Sequence, residues 1–391
     1  MKEAGGGQET FDYKKLKEEY KGFQYPEMQI IINGKDLASA KQGLIIYDLV
    51  CELSSDFEAS IASFYVSEVL DEEKKLYDSS VLKSYLVLGG SAQVLLGYAG
   101  KLKEVFCGFV SRVRFIHDDE RPMQIEVTLM DVKGIMMSNS CVRQLTAKSY
   151  SEAVKEIFAS QRYQAIQSNG IFKAQLKVDD TPDKKRSGSG GNGEDSPDTI
   201  EMVDESDYDF IVKAAKKFNF EFFIRDGTVI FRKNKSVSTV RIEIGIGKGL
   251  KSFDVAYDIT GLVTEVEVRG MDDGSGTLVN AVDKRTNKYW GGNSAKSLLS
   301  GSKKVYFDPT VHDKSEAKNR AESLMDEISN RFGRLECECD GLPELIPGYN
   351  VKLVNLGDKA ENTFYITNVR HVMSDTEGYK TYLSGEASSV N

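Results

Sequence analysis

Hydrophobic positions in this chain fall mostly in short runs that alternate with polar residues, a pattern that predicts strands. A strand-rich stretch opens at 28–32 and continues through 45–53, 59–66, 81–88 and 93–98, all rich in β-branched and aromatic residues. The clearest strand pair is 105–115 and 124–130, joined by a polar turn at 117–122. In its first strand Val105, Cys107 and Phe109 share one face, and Phe106 and Val110 lie near the other, so both faces should be covered. Three more strands are expected near the end, at 348–356, 363–373 and 379–386. Helical spacing breaks in at four places. Residues 11–20 can form a short helix with Phe11, Leu16 and Tyr20 loosely on one side. Residues 149–159 form a better one, with Ser149 or Ser151 as N-cap and Ala153, Val154, Ile157 and Phe158 at helical spacing. A third is expected at 207–218, with Ser206 as cap and Asp209 three residues on. The longest runs from 315 to 332, with Ala317, Ala321, Leu324 and Ile328 turned inward.

Between these elements, 220–225 and 229–232 flank Asp226-Gly227, a strong hairpin signal. Residues 261–270 alternate as a strand, and a polar, Gly-rich excursion at 271–303 is expected to leave the sheet. Residues 183–198 carry charge, Gly and Ser with no packing signal, and read as an exposed flexible loop. Two stretches share a plan of strand, turn, strand, turn, strand. One begins at Val94 to Gly97 and the other at Val351 to Val354, and aligning them sets Val110 on Val369 and Val113 on Val372.

The length of 391 residues suits two or three domains. A net charge of −9 argues against a general nucleic-acid binder, since phosphate contacts need clustered cations. The start of the chain is polar and Gly-rich without the apolar core of a secretory signal, and no stretch approaches the ~20 apolar residues of a membrane span. Five cysteines, mostly inside apolar runs, read as reduced core residues of a protein made in a cytoplasm. Cys337 and Cys339 share a strand face, but no further ligands stand near them, so no metal is expected.

No catalytic or cofactor motif emerges. His117, His312 and His371 are far apart, and the Gly245 to Gly249 segment reads as a turn. The acidic cluster Asp204-Glu205-Ser206-Asp207-Tyr208-Asp209 could supply an acid and a base. It also opens a helix, where free N–H groups and the positive end of the dipole favour carboxylates. Ser206, Asp207 and Asp209 are therefore assigned to capping, with no catalytic, cofactor or metal residues. Trp290, inside the polar excursion, is a contact residue or a local anchor.

Four segments carry a resemblance, in order along most of 26–388. They are Leu96-Gly97-Tyr98 through Val105 to Val110 and on to Val127-Thr128-Leu129-Met130-Asp131; Glu205-Ser206-Asp207-Tyr208-Asp209-Phe210; Val263-Thr264-Glu265-Val266-Glu267-Val268-Arg269-Gly270; and the 315 helix through Ile346-Pro347-Gly348 and Tyr365-Ile366-Thr367. Together they resemble the tail-hub family: phage late control D proteins, the N-terminal hub part of type VI VgrG spike proteins, and baseplate hubs of contractile phages and tailocins. The resemblance implies an α+β, mainly β fold with two tube-like antiparallel β-barrels and a helix-containing middle domain. The implied division is a leader at 1–25, a first barrel at 26–145, a middle domain at 146–250 with the loop 183–198, and a second barrel at 251–391 with the excursion 271–303 and the helix 315–332. It also implies a homotrimeric baseplate hub joining a hexameric tail tube to a trimeric spike, assembled into a virion or phage-tail-like particle. Implied partners are further copies, the tail tube protein, a spike protein, other baseplate proteins, with a tape measure protein as a further candidate. VgrG proteins continue into an OB-fold and a β-helical needle; this chain ends at Asn391, so the spike is expected on a separate polypeptide. The alternatives are a hub of a non-contractile tail and a cell-wall hydrolase delivered by a tail.

Overall fold

The computed structural model describes residues 10–39, 45–67, 70–71, 76–77, 85–118, 121–182, 200–272, 275–289, 291–357 and 360–391. The loop expected at 183–198 and Trp290 lie outside the described residues, as does the first half of the strand expected at 81–88. The chain begins with α1 (Tyr13–Glu19), started by the Asp12 carboxylate, which accepts from the Lys15 N–H. The first strand set comes after it: β1 (Pro26–Ile32), β2 (Lys35–Asp36), β3 (Ile45–Ser54), β4 (Ile61–Ser67), β5 (Leu70–Asp71), β6 (Leu76–Tyr77), β7 (Ser91–Tyr98), β8 (Lys101–Asp118) and β9 (Arg121–Met130).

A middle unit comes next, made of α2 (Lys133–Met136), β10 (Cys141–Leu145), α3 (Tyr150–Ala159), α4 (Gln161–Ser168), β11 (Leu176–Val178), β12 (Ile200–Glu205), α5 (Asp207–Phe218), β13 (Phe220–Arg225) and β14 (Thr228–Lys233). The second strand set starts with β15 (Val240–Gly245) and β16 (Leu250–Tyr257). It is interrupted by β17 (Glu265–Met271), β18 (Leu278–Lys284), α6 (Asn293–Leu299), β19 (Lys303–Phe307) and α7 (Lys314–Asn330). It resumes with β20 (Gly333–Asp340), β21 (Asn350–Val354), β22 (Thr363–Ser374) and β23 (Gly378–Ala387).

The fold is α+β and mainly β. Its main body is one 13-stranded sheet, ordered β16-β20-β23-β22-β3-β4-β9-β8-β7-β1-β2, with β21 also on β22 and β15 on β21. All pairs are antiparallel except β15 with β21. The two strand sets meet where β22 pairs β3, Val369 opposite Leu53 and Val372 opposite Val50. They also share one core, in which Phe64, Val94 and Val127 from the first set join Ile244, Val351 and Phe364 from the second. Strict alternation explains this: in β4 and β23 every second residue is buried, so each strand gives one apolar face to the common interior.

The repeated plan is present in three dimensions and is larger than the sequence suggests. The spatial order β1-β7-β8-β9-β4-β3 is matched by β15-β21-β22-β23-β20-β16, and the chain visits both in the same sequence. Only the first pair differs in direction. The register expected from sequence does not match the bulges. Each third strand has a bulge near its middle against the strand that follows, at Ser111 in β8 and Thr367 in β22. Each bulged hydroxyl donates to a carbonyl on the facing strand, Ser111 to Thr128 and Thr367 to Ser384. Superposing the bulges sets Ser111 on Thr367 and shifts the Val110–Val369 pairing by three residues. Sequence alternation cannot register an extra residue whose role is to break alternation.

Two smaller cores stand beside the main one. The middle unit buries Val154, Phe158, Phe210, Phe222 and Phe231 among others, in a cluster that begins at Val132. Part of the first strand set packs on it: Phe109 of β8 lies against this cluster, which is why β8 is covered on both faces. The third core belongs to β17, β18, β19 and α7, and buries Val266, Val268, Ala321, Met325 and Phe332. The strand expected at 261–270 is therefore not in the main sheet. As β17 it is the centre of a separate sheet, ordered β18-β17-β19. The expected excursion supplies that sheet's β18 and the helix α6.

Candidate functional site

The acidic segment before α5 is the place where sequence chemistry and helix geometry coincide. Ser206 is the N-cap, accepting from the Asp209 N–H and donating to the Asp209 carboxylate. Glu205 turns away and pairs with Lys213 at 2.8 Å. Asp207 turns inward and is buried. Its carboxylate accepts from Arg143 at 2.9 Å, Tyr163 at 2.8 Å and Asn139 at 3.1 Å. The cluster thus divides three ways, into a surface ion pair, a cap and a buried anchor that ties β10 and α4 to α5. Glu205 and Asp209 both border the cleft between α5 and α7, but the first is held by Lys213 and the second by Ser206. Burial and the adjacent Asp207 carboxylate push the Tyr163 hydroxyl well above its ordinary range.

The histidines are separate: His117 is exposed on β8, His312 precedes α7, and His371 is buried in β22. His371 Nε2 lies 3.1 Å from the Leu345 carbonyl, which can only accept, so the ring proton sits there. Nδ1 then accepts from Tyr379 at 3.0 Å, with Thr381 at 3.1 Å. Burial pulls the imidazole down to about 3, so it is a neutral structural bridge. Four of the five cysteines are buried and none is disulfide-bonded. Burial pushes the Cys337 thiol up to about 12 and the Cys339 thiol well above its ordinary range. No group of three or more His, Cys, Asp or Glu suited to a metal occurs among the described residues.

The polar residues that organise the molecule were not picked out by motif. Lys133 is fully buried and donates to the carbonyls of Asp56, Phe57 and Glu58 at 3.0, 3.3 and 2.6 Å; burial draws its ammonium down to about 8. Glu221, Arg232 and Tyr365 form a buried network between the β13–β14 hairpin and β22, with Arg232 also donating to the Gly348 carbonyl at 2.7 Å. Glu344 accepts from Tyr20 and from Lys103, both at 2.6 Å, and so ties α1 and β8 to the second set. Phe11 bridges to Ile242 of β15, so the described part of the expected leader is packed structure. A signal did exist for some of these: Glu344 sits alone among Leu342, Leu345 and Ile346, and a lone charge in an apolar run asks for a buried partner. A cleft of about 620 Å³ lies between α5 and α7, but Lys213, Lys217 and Arg320 in its wall are each ion-paired.

The profile of the Alg8 N-terminal domain matches residues 196–375, which run from just before β12 to the end of β22. No curated protein matches the chain in sequence. Among solved structures the chain is similar to a tail protein of Neisseria meningitidis, with a TM-score of 0.63 and 14% identity over 93% of this chain and 97% of that one. It is similar to the 43 kDa tail protein of prophage MuSo2 from Shewanella oneidensis, with a TM-score of 0.65 and 12% identity over 92% and 98%. It is also similar to an Escherichia coli component of the type VI secretion system, itself described as structurally similar to the T4 bacteriophage tail proteins gp27 and gp5. Here the TM-score is 0.53, at 11% identity over 93% and 78%. These likenesses establish a common fold.

Proposed function

We propose that the chain is a structural baseplate hub subunit of a phage-like contractile tail, a homotrimeric adaptor joining a hexameric tail tube to a trimeric spike. The observation that carries this reading is the duplicated strand order within one chain. Three copies of a chain with two equivalent strand sets offer six near-equivalent positions to a sixfold partner, while the trimer as a whole meets a threefold one. The fold shared with proteins named as tail proteins over more than nine tenths of the chain supports it. The mechanism is symmetry adaptation with mechanical coupling. The β3–β22 pairing makes the two sets one hydrogen-bonded sheet, so load on either is shared by the other. The middle unit braces this body through the Glu221–Arg232–Tyr365 network. Further partners are other baseplate proteins and a tape measure protein.

Electron microscopy of the native particle tests this: the chain should occupy threefold density between tube and spike, with two lobes per copy. A particle without threefold density for this chain overturns the proposal. Peptidoglycan zymography separates it from a tail-delivered hydrolase. The purified chain should leave the substrate intact, and clearing lost on Glu205→Gln or Asp207→Asn would favour the hydrolase.

A further inference from the structure

The sheet β18-β17-β19 covers its core with one face only. Val266 and Val268 of β17 point at α7 and are fully buried. The alternate residues form the other face, and the strand registers put them in rows. Leu278 lies opposite Met271; Asn280, Arg269 and Phe307 make the next row; then Val282, Glu267 and Val305; then Lys284, Glu265 and Lys303. Five apolar side chains of this face are exposed, from 39% at Val282 to 62% at Leu278 and Phe307. Single exposed apolar residues are ordinary, but five in adjacent register on one open sheet are a contact surface in waiting.

The charges on this face are already arranged. Glu267 is buried between Arg269 at 2.7 Å, Lys303 at 2.5 Å and Asn280 at 3.4 Å. Hydrogen bonds from Arg269 and Lys303 hold its carboxyl down at about 2. Glu265 is paired with Lys284 and Lys303. Three cations against two carboxylates leave the face weakly basic on a chain whose net charge is −9.

A second exposed apolar patch has the opposite sign. The ribbon β10–β12 turns Arg143 and Met202 inward and leaves Val142 and Val203 outward, 75% and 63% exposed. Beside them stand the exposed carboxylates Glu201 and Asp204. Both patches belong to this chain, they are apolar at the centre, and they complement each other in charge.

We propose that the open face of β17–β19 in one copy packs on the β10–β12 ribbon of the next copy, a head-to-tail contact that closes a ring of identical subunits. The contact is heterologous, as cyclic assemblies above a dimer require. It rests on the trimeric reading above and assigns the surfaces that build it.

Sedimentation equilibrium of the purified full chain provides the test. The natural chain should self-associate. Phe307→Asp and Val203→Asp should each weaken association by about tenfold or more while leaving the circular dichroism spectrum unchanged. Lys284→Glu should weaken it too, and adding Asp204→Lys should restore it. A second measurement does not depend on the strength of the contact. In a Cys141→Ser background, which removes the native thiol of the ribbon, chains carrying Phe307→Cys, mixed with chains carrying Val203→Cys, should form an intermolecular disulfide under mild oxidation that neither forms alone. Association unaffected by both aspartate variants overturns these surfaces and leaves the trimeric hub standing. A natural chain that stays monomeric both alone and with added tail components overturns both. Cross-linking by Phe307→Cys alone overturns the head-to-tail geometry, and association that needs an added tail component overturns the second copy as occupant.

Discussion

At the scale of single residues, Ser206 and Asp207 are neighbours with different consequences. Ser206→Ala removes a buried cap from α5 and should cost about 1 kcal/mol in urea unfolding. Asp207→Asn leaves the size unchanged but removes the charge that Arg143 and Tyr163 point at, and should cost about 2 kcal/mol. The cap was legible because its partner is three residues away along the chain. The anchor was not, because Arg143 lies 64 positions away in sequence and local spacing carries no trace of such a contact. His371 gives a pH prediction. Its folded value is about 3, below the ordinary value near 6.5, so the unfolded chain binds more protons between those limits. Stability is full above pH ~6.5 and is lost as pH falls toward 3, by at most about 1.4 kcal/mol per pH unit from this group. His371→Gln should flatten the fall in unfolding midpoint between pH 7 and 5; an unchanged slope would show that other groups cause it.

At the scale of elements, the β13–β14 hairpin shows where local signals stop. Asp226 and Gly227 both take positive φ, 48° and 72°, as the tight turn between the strands requires, and both were readable in the sequence. What the hairpin rests on was not. A Cβ on Gly227 would stand 2.9 Å from the Cys107 sulfur of β8. Gly227→Ala should therefore cost about 1–3 kcal/mol, through backbone strain and loss of the hairpin's seat. Tyr365→Phe should cost about 1–3 kcal/mol by leaving a Glu221 oxygen buried without its donor. Thermal unfolding of both variants checks these figures, and each should leave far-UV circular dichroism at low temperature unchanged. The longest helix was likewise legible from Ala317, Ala321, Leu324 and Ile328, all buried. The sheet it packs on was not legible, because β17 alternates like any strand, and alternation names a buried face without naming what covers it.

At the scale of the whole molecule, one sheet and one core join residues from both ends of the chain. Hydrogen exchange should find β3, β22 and the strands beside them opening together, with one common protection level for both strand sets. Separate levels for the two sets would contradict the shared core. The unit of β17–β19 and α7 has a core of its own and should open at a lower free energy than the main sheet.

The amino-acid order by itself determined the strand-rich character, the helices with their caps, the tight hairpin, the closing meander and the existence of a repeated plan. Each depends on interactions within a few residues, where side-chain period and turn chemistry act directly. Only the tertiary structure decided that the two strand sets are one sheet, that the bulges set their register, that 262–332 carries a separate core, and that Lys133, Asp207, Glu221 and Glu344 hold the units together. Those outcomes depend on which faces meet across hundreds of residues. Packing and burial settle that choice collectively, and no local window of sequence contains it.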